Sequence, residues 1–412
     1  MKIDFPSYTE RLGSVSIHAV QRVHEIDSGK STGYHSSHKT IRQFDYNEIL
    51  NVMNDLAIVI PIKNEKLKLL EGVLSGIPND CLIIIVSNSP RSPVDKFATE
   101  VETSRQLARF MDKKLVIIHQ QDKGLAEVFK KVGYHSILDN NGNVREGKAE
   151  AMVIGMLIAK MYHRGYVGFI DGDNYIPGAV NEYVKIFASG FCMSTSPYCN
   201  VRVSWVFKPK IKDSSLYFAK WGRISEVTNK YLNTLLSHIS GFETEVIKTA
   251  NSGEHALSMP LAECLHFSSG YSVEPYEFLD ILEKFGGLLP SEYPEIMEKG
   301  IEIFQIEPRN PHFHEDKGSA HLKEMLGESL ISLYRSKICP SPLSQEIRNQ
   351  IEKLRPLSTN DEASEKKPRR RKSSLDNLEK YPLMDPIIAI PITTFAKELK
   401  EVAATFSRYG SL

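Results

Sequence analysis

Cysteine is scarce in this 412-residue sequence: Cys81, Cys192, Cys199, Cys264 and Cys339 are an odd number with no CxxC pair among them. That argues against a disulfide framework and a paired-thiol zinc or redox site. A reducing, cytoplasmic setting is expected. Net charge is lacking too, with 51 Lys and Arg against 51 Asp and Glu. No global field therefore recruits nucleic acid or an anionic membrane, and any anionic ligand must be held by local clusters. No apolar run approaches the roughly 20 residues of a membrane helix, and "MKIDFPSYTERLG" lacks the apolar segment of a signal peptide. Small molecules, not nucleic acid or membrane, are the expected partners.

Four short apolar runs are present: "LAIVIP" (56–61), "LIIIVSN" (82–88), "KLVIIHQ" (114–120) and "YVGFIDGD" (166–173). Each is rich in β-branched residues and too short for a helix, as strands buried on both faces of a parallel sheet are. Helix-like stretches separate them: "NEKLKLLEGVLSGI", "VDKFATEVETSRQLARFM", "GLAEVFKKVG" and "GKAEAMVIGMLIAKMYHRG". The alternation implies right-handed crossovers and an α/β, doubly wound, mainly parallel sheet. Ligands of such sheets sit at the carboxyl ends of the strands. Asn64–Glu65, Ser87–Asn88, His119–Gln120 and Asp171–Asp173 all fall there.

Residues 1–195 are expected to form the nucleotide-binding half and 196–345 a smaller α+β half completing the site. In the latter, "VRVSWVFKPK" reads as a strand, and "ISEVTNKYLNTLLSHIS" and "EPYEFLDILEKFGG" as helices. Residues 346–380, with "KKPRRRK", read as a polar basic linker without apolar periodicity. A C-terminal segment, 381–412, would return with a strand-like piece and a helix.

Asp171 and Asp173 carry the most chemistry. Carboxylates at i and i+2 point the same way if the strand persists, and a hard divalent cation, Mg²⁺ or Mn²⁺, would relieve their repulsion. The alternative is a cap, with Asp173 or Asn174 opening a helix near Pro177. "NPHFHEDKG" (310–318) offers His312 and His314, again at i and i+2. Either imidazole could complete the shell of a metal on Asp173, and nitrogen favours Mn²⁺. A solvated helix-capping loop is the competing reading. "VIPIKNEK" (59–66) could meet a diphosphate at a helix N-terminus, yet it lacks the glycines of dinucleotide and ATPase loops. In "REGKAE", Arg145 and Lys148 open a helix against its dipole, which an anion would rationalise. "VRVSW", "TANSGEHAL" and "GYSVEPYE" are polar islands, each compatible with a site, a turn or an internal salt bridge.

Taken together, "PIKNEK", "VSNS", "GKAE", "GFIDGDNYIPGAVNEY", "TANSGEHA", "GYSVEPYE" and "EIFQIEPRNPHFHEDKG" resemble the mannosyl-3-phosphoglycerate synthase family, collinearly from near the N-terminus to about residue 340. The resemblance implies a GT-A fold and a retaining transfer of mannose from GDP-mannose to the 2-hydroxyl of 3-phospho-D-glycerate, with a divalent metal. It implies that Asp173 binds the metal with His314 or His312, and that Asp171 faces the nucleotide sugar. Gly172 stands where alanine is common. Pro61, Lys63, Asn64 and Glu65 match the first nucleotide loop, and Ser87, Asn88, Gln120 and Lys148 lie in the others, with Arg145 beside them. Arg202, Asn251, Gly253, Glu254 and His255 fall to the acceptor side, and Glu274 resembles a carboxylate of the related glucosyl-3-phosphoglycerate synthases. With Asp171 and Lys148, Glu274 makes up the expected catalytic set, and a homodimer is compatible with it.

The rivals are the same fold with another donor such as UDP-glucose, an Asp-x-Asp phosphatase, a nucleotidyltransferase and a silent nucleotide-sugar-binding scaffold. The phosphatase wants Thr or Val after the pair, where Asn174 stands. The nucleotidyltransferase wants a Gly-rich basic loop. The scaffold reading is weakened because both aspartates are present.

Overall fold

The computed structural model describes residues 1–27, 40–174, 176–205, 207–212, 215–220, 223–313, 319–354 and 382–405. Its strands are β1 Lys2–Asp4, β2 Thr9–Leu12, β3 Val15–His18, β4 Gln21–Glu25, β5 Ile41–Gln43, β6 Leu56–Ile62, β7 Leu82–Ser87 and β8 Lys114–His119. They continue with β9 Tyr166–Phe169, β10 Cys199–Val203, β11 Phe207–Lys212, β12 Ser215–Lys220, β13 His255–Ser258, β14 Phe267–Ser268, β15 Ile301–Glu307 and β16 Leu383–Met384.

The main sheet runs β5-β1-β4-β15-β10-β13-β9-β6-β7-β8, with β2 and β3 attached through β15. The four foreseen strands form its parallel end, β8-β7-β6-β9. Their apolar runs do not alternate because both faces are covered. Ala57 and Val59 of β6 enter a core with the helix Lys148–Met161, while Leu56, Ile58 and Ile60 enter a second core with the helices Leu67–Gly76 and Pro177–Met193. Helices on both faces make the sheet doubly wound, the GT-A-like α/β arrangement expected.

Beyond β9 the sheet is mixed: β13 runs antiparallel to both β9 and β10, and β10 and β15 are parallel. Strands from either side of residue 195 thus share one sheet. The N-terminal strands β3 and β4 pair with β15, far along the chain. "VRVSWVFKPK" is not one strand: β10 ends at Val203, and among the described residues β11 pairs with β12 in a separate two-stranded hairpin. In the tail, the strand-like piece is the short β16, paired with β14, and the helix is Ile392–Thr405. Most of the expected linker, "KKPRRRK" included, lies outside the described residues, as does His314. Among the described residues no helix is long and apolar enough to cross a membrane.

Candidate active site

The fourth apolar run stops being a strand at Phe169, so Asp171 and Asp173 lie on a turn beyond it. Their side chains therefore differ in surroundings: Asp171 is about one-third exposed, while Asp173 is buried. The capping alternative does not hold. Ile176 is the N-cap of the helix Pro177–Met193, with no side-chain cap bond and with Pro177 in the first turn. Asn174 instead donates through Nδ2 to the Asp171 carbonyl at 2.8 Å and to Glu254 Oε1 at 2.9 Å. It ties the aspartate turn to the segment entering β13.

Lys148 is the centre of the cluster. Its Nζ lies 2.7 Å from Asp171 Oδ1 and 2.8 Å from Glu274 Oε1. Burial alone would lower the ammonium pKa, but the two carboxylates outweigh it and hold it above the ordinary lysine value. Lys148 opens the helix Lys148–Met161, and Arg145 just before it bonds Glu150 Oε1 at 2.9 Å and the Leu138 carbonyl at 3.1 Å. The anions that rationalise this basic pair at a helix N-terminus are thus supplied by the chain itself. Gly253 completes the wall: a Cβ there would sit 2.7 Å from Asp171 Oδ2 and 3.3 Å from Lys148 Nζ.

The loops after β6, β7 and β8 are braced against this cluster. Asn64 adopts φ 65°, its N–H donates to Ser89 Oγ at 2.7 Å, and its Oδ1 accepts from Lys96. Ser87 and Ser89 donate to opposite oxygens of the buried Glu100, at 2.6 and 2.5 Å. Burial raises the Glu100 carboxyl pKa, and the two hydroxyls temper the rise. Asn88 N–H bonds the Ile62 carbonyl, and Pro61 lies within β6. Gln120 Nε2 donates to the carbonyls of Arg145 and Gly147, at 2.7 and 3.0 Å. Lys63, exposed, bridges to Glu146 at 2.9 Å, so the first loop reaches the one before Lys148. Glu65 is near the aspartate turn, since a Cβ on Gly172 would meet Glu65 Cγ at 3.6 Å.

On the acceptor side two of the expected residues are fully buried. Arg202 has a fully enclosed guanidinium whose donors are taken up by Glu277 (2.7 Å) and by the carbonyls of Thr249, Ala250 and Glu274 (3.1, 3.2 and 3.1 Å). His255 is equally enclosed, with Nε2 3.0 Å from Glu277 Oε2. Both side chains are enclosed and paired within the chain, behind the wall. Burial alone would raise Glu277, but His255, Arg202 and Asn200 reverse that and keep its carboxyl below the ordinary value. Asn251 bonds Ser329 Oγ at 3.0 Å, and Glu254 is fully buried.

His312 is also buried, its ring tilted at 32° to that of Trp205 with centroids 4.3 Å apart. It is no solvated cap. Among the described residues, however, no group of three or more His, Cys, Asp and Glu is arranged to hold a metal ion.

Sequence reasoning missed Glu100, Glu150, Glu182 and Glu277, all buried carboxylates on helices. A single sequence signals them only as a charge interrupting an apolar face.

Residues 5–386 match the family model described as mannosyl-3-phosphoglycerate synthase (osmo_MPGsynth). The mannosyl-3-phosphoglycerate synthase of Pyrococcus furiosus is 44% identical over 411 residues, covering 100% of both chains. That of Aeropyrum pernix is 36% identical over 355 residues, covering 86% of this chain and 90% of its own. Among solved structures, glucosyl-3-phosphoglycerate synthase of Mycobacterium tuberculosis with Mn²⁺, UDP-glucose and glycerol 3-phosphate matches with TM-score 0.46 and 17% identity, over 74% of this chain and 88% of that one. The same enzyme with Mn²⁺, UDP and glucosyl-3-phosphoglycerate matches with TM-score 0.44 and 16% identity, over 77% and 89%.

Proposed function

The chain belongs to the mannosyl-3-phosphoglycerate synthase family, and from that premise we propose that it moves mannose from GDP-mannose to the 2-hydroxyl of 3-phospho-D-glycerate, releasing GDP. The observation that carries the reading is the Lys148 ammonium held between Asp171 and Glu274 at the carboxyl edge of the parallel strands. A departing diphosphate gains charge, and a preorganised cation beside it stabilises that charge without reorganisation.

Asp173 is the residue that would hold a divalent cation, with Asp171 facing the nucleotide sugar. The Asp173 oxygen donors suit Mg²⁺ or Mn²⁺, which take one or two carboxylates and leave other positions to substrate phosphates. His312 and His314 are the candidates for a further ligand. When bound, the ion would neutralise the leaving diphosphate.

Glu274, 5% exposed and hydrogen-bonded by Lys148, is the carboxylate proposed to stabilise positive charge at the anomeric carbon. Pro61, Lys63, Asn64, Glu65, Ser87, Asn88, Gln120 and Arg145 form the proposed donor wall, with Gln120 and Arg145 acting through the loop they brace. Asn251, Gly253 and Glu254 form the proposed acceptor wall, with Arg202 and His255 behind it.

The test is product formation from 3-phosphoglycerate with GDP-mannose, GDP-glucose and UDP-glucose in parallel, with Mg²⁺. Mannosyl product from GDP-mannose at the highest kcat/KM supports the reading. Preference for UDP-glucose moves the chain to glucosyl transfer, and no transfer from any donor rejects it.

A further inference from the structure

The helix Pro177–Met193 begins just past the aspartate turn, and three consecutive residues on it reach three different parts of the molecule. Asn181 Nδ2 donates to the Gly76 carbonyl at 3.1 Å, an ordinary helix-to-helix tie. Glu182, fully buried, faces the loop that leaves β15. Its Oε1 accepts from Arg309 N at 2.7 Å, and its Oε2 accepts from Asn310 N at 2.9 Å and Asn310 Nδ2 at 2.7 Å. Tyr183 accepts from Trp205 Nε1 at 3.2 Å, and the Trp205 ring in turn contacts the His312 ring, tilted at 32° with centroids 4.3 Å apart.

A carboxylate in a fully buried position is costly unless its lone pairs are met. Among the described residues they are met by amide groups of one loop, and that loop's backbone donors have left the β15 ladder and need a partner. Core packing would be served as well by an apolar residue. What Glu182 does that an apolar residue cannot is fix the loop's position relative to the helix.

We infer that Glu182 and Tyr183 form a two-point latch, holding the Arg309–Phe313 loop at a set distance from the Asp171–Asp173 turn. Glu182 is thereby a positioning residue for the divalent-cation site. The inference rests on reading the aspartate turn as that site. It explains why an acidic residue and an aromatic follow one another on the helix immediately downstream of the aspartates. The helix turns toward the sheet with its apolar residues and toward the histidine loop with Glu182.

The test is Mn²⁺ binding to the full-length, substrate-free protein, read from the free-Mn²⁺ electron paramagnetic resonance signal, with amide exchange measured at residues 309–310. Glu182→Gln keeps the shape but turns an NH₂ group toward the loop donors. It should weaken Mn²⁺ binding about ten- to hundred-fold, as loss of an outer-sphere support does, and speed exchange at Arg309 and Asn310. In turnover the KM for the metal should rise while kcat at saturating metal changes little. If Glu182→Gln does not fold, Asn310→Ala, which removes only the side-chain bond, should show the same effects in smaller measure. Exchange that quickens with Mn²⁺ affinity within two-fold of wild type would mean a merely structural tie and overturn the latch. Wild-type protein that binds Mn²⁺ through Asp173, with unaffected latch variants, overturns the latch alone. Wild-type protein that binds no Mn²⁺ overturns the cation reading and the latch together.

Discussion

Lys148 Nζ stands 2.7 Å from Asp171 Oδ1, a contact between the first residue of one helix and the turn beyond β9. A lysine at a helix N-terminus opposes the dipole, and the contact with Asp171, with Glu274 behind it, is what makes it stable there. Lys148→Met should leave two carboxylates facing each other without a cation. The expected loss is about 10²–10³-fold in kcat, the magnitude seen when one preorganised charge-stabilising group is removed. Steady-state kinetics at saturating donor and metal checks it; a change confined to the donor KM would assign Lys148 to ground-state binding only.

Arg202 gives a prediction of the opposite kind. Its pair with Glu277 is fully buried, and removing one partner of such a pair costs about 3–5 kcal/mol because a charge is left without its counterpart. Arg202→Met should therefore lose stability of that order in urea unfolding, and Arg202→Lys should not restore it, since lysine cannot serve four acceptors in a plane. A variant of wild-type stability with only a raised KM for 3-phosphoglycerate would return Arg202 to the ligand-binding set.

Glu302 makes stability depend on pH. Burial alone would raise its carboxyl, but His18, Ser194 and the backbone N–H groups of Ser196 and Thr195 outweigh it and pull the pKa from 4.5 to about 2. A depressed folded-state pKa contributes stability above the unfolded value, and that contribution is lost as pH falls from about 4.5 through about 2. Glu302→Gln should cost about 2–3 kcal/mol at pH 7. The difference from wild type should shrink as pH falls below about 4.5 and approach zero only below about 2. Thermal melts of both proteins across that range test it, and a gap constant with pH would contradict it.

Two glycines should respond differently to the same change. A Cβ on Gly147 would lie 2.1 Å from Glu150 Oε2, the carboxylate that holds Arg145. Gly147→Ala should displace Glu150, loosen the loop that Gln120 braces and raise the donor KM several-fold. A Cβ on Gly172 would meet Ile62 Cγ2 at 2.6 Å, a single methyl group at the end of β6. Gly172→Ala should cost about 1 kcal/mol through that overpacking and leave turnover nearly intact. Equal loss of activity in the two would contradict the account.

The parallel end of the sheet was legible in the sequence because strands covered on both faces leave uninterrupted β-branched runs, as in β6 and β7. The crevice followed, since Asn64, Ser87, Gln120 and Asp171 all stand where those runs end. The rest was hidden for a physical reason. The pairing of β3 and β4 with β15 joins segments nearly the whole chain apart, and no local periodicity encodes it. The same holds for Arg202: a polar residue in an apolar strand reads alike whether it faces a ligand or a buried glutamate. Only the position of Glu277 on another element decides between them. Glu182 was invisible in turn because its partners, Arg309 and Asn310, belong to a loop far along the chain.

The most direct test of the account is mannosyl transfer from GDP-mannose to 3-phosphoglycerate by wild type and Asp173→Asn, each with and without a chelator. The account predicts transfer by wild type that chelation abolishes and added Mg²⁺ or Mn²⁺ restores, and little transfer by Asp173→Asn under any condition. Transfer that persists in chelator, or Asp173→Asn as active as wild type, would contradict the claim that the aspartate turn works through a divalent cation.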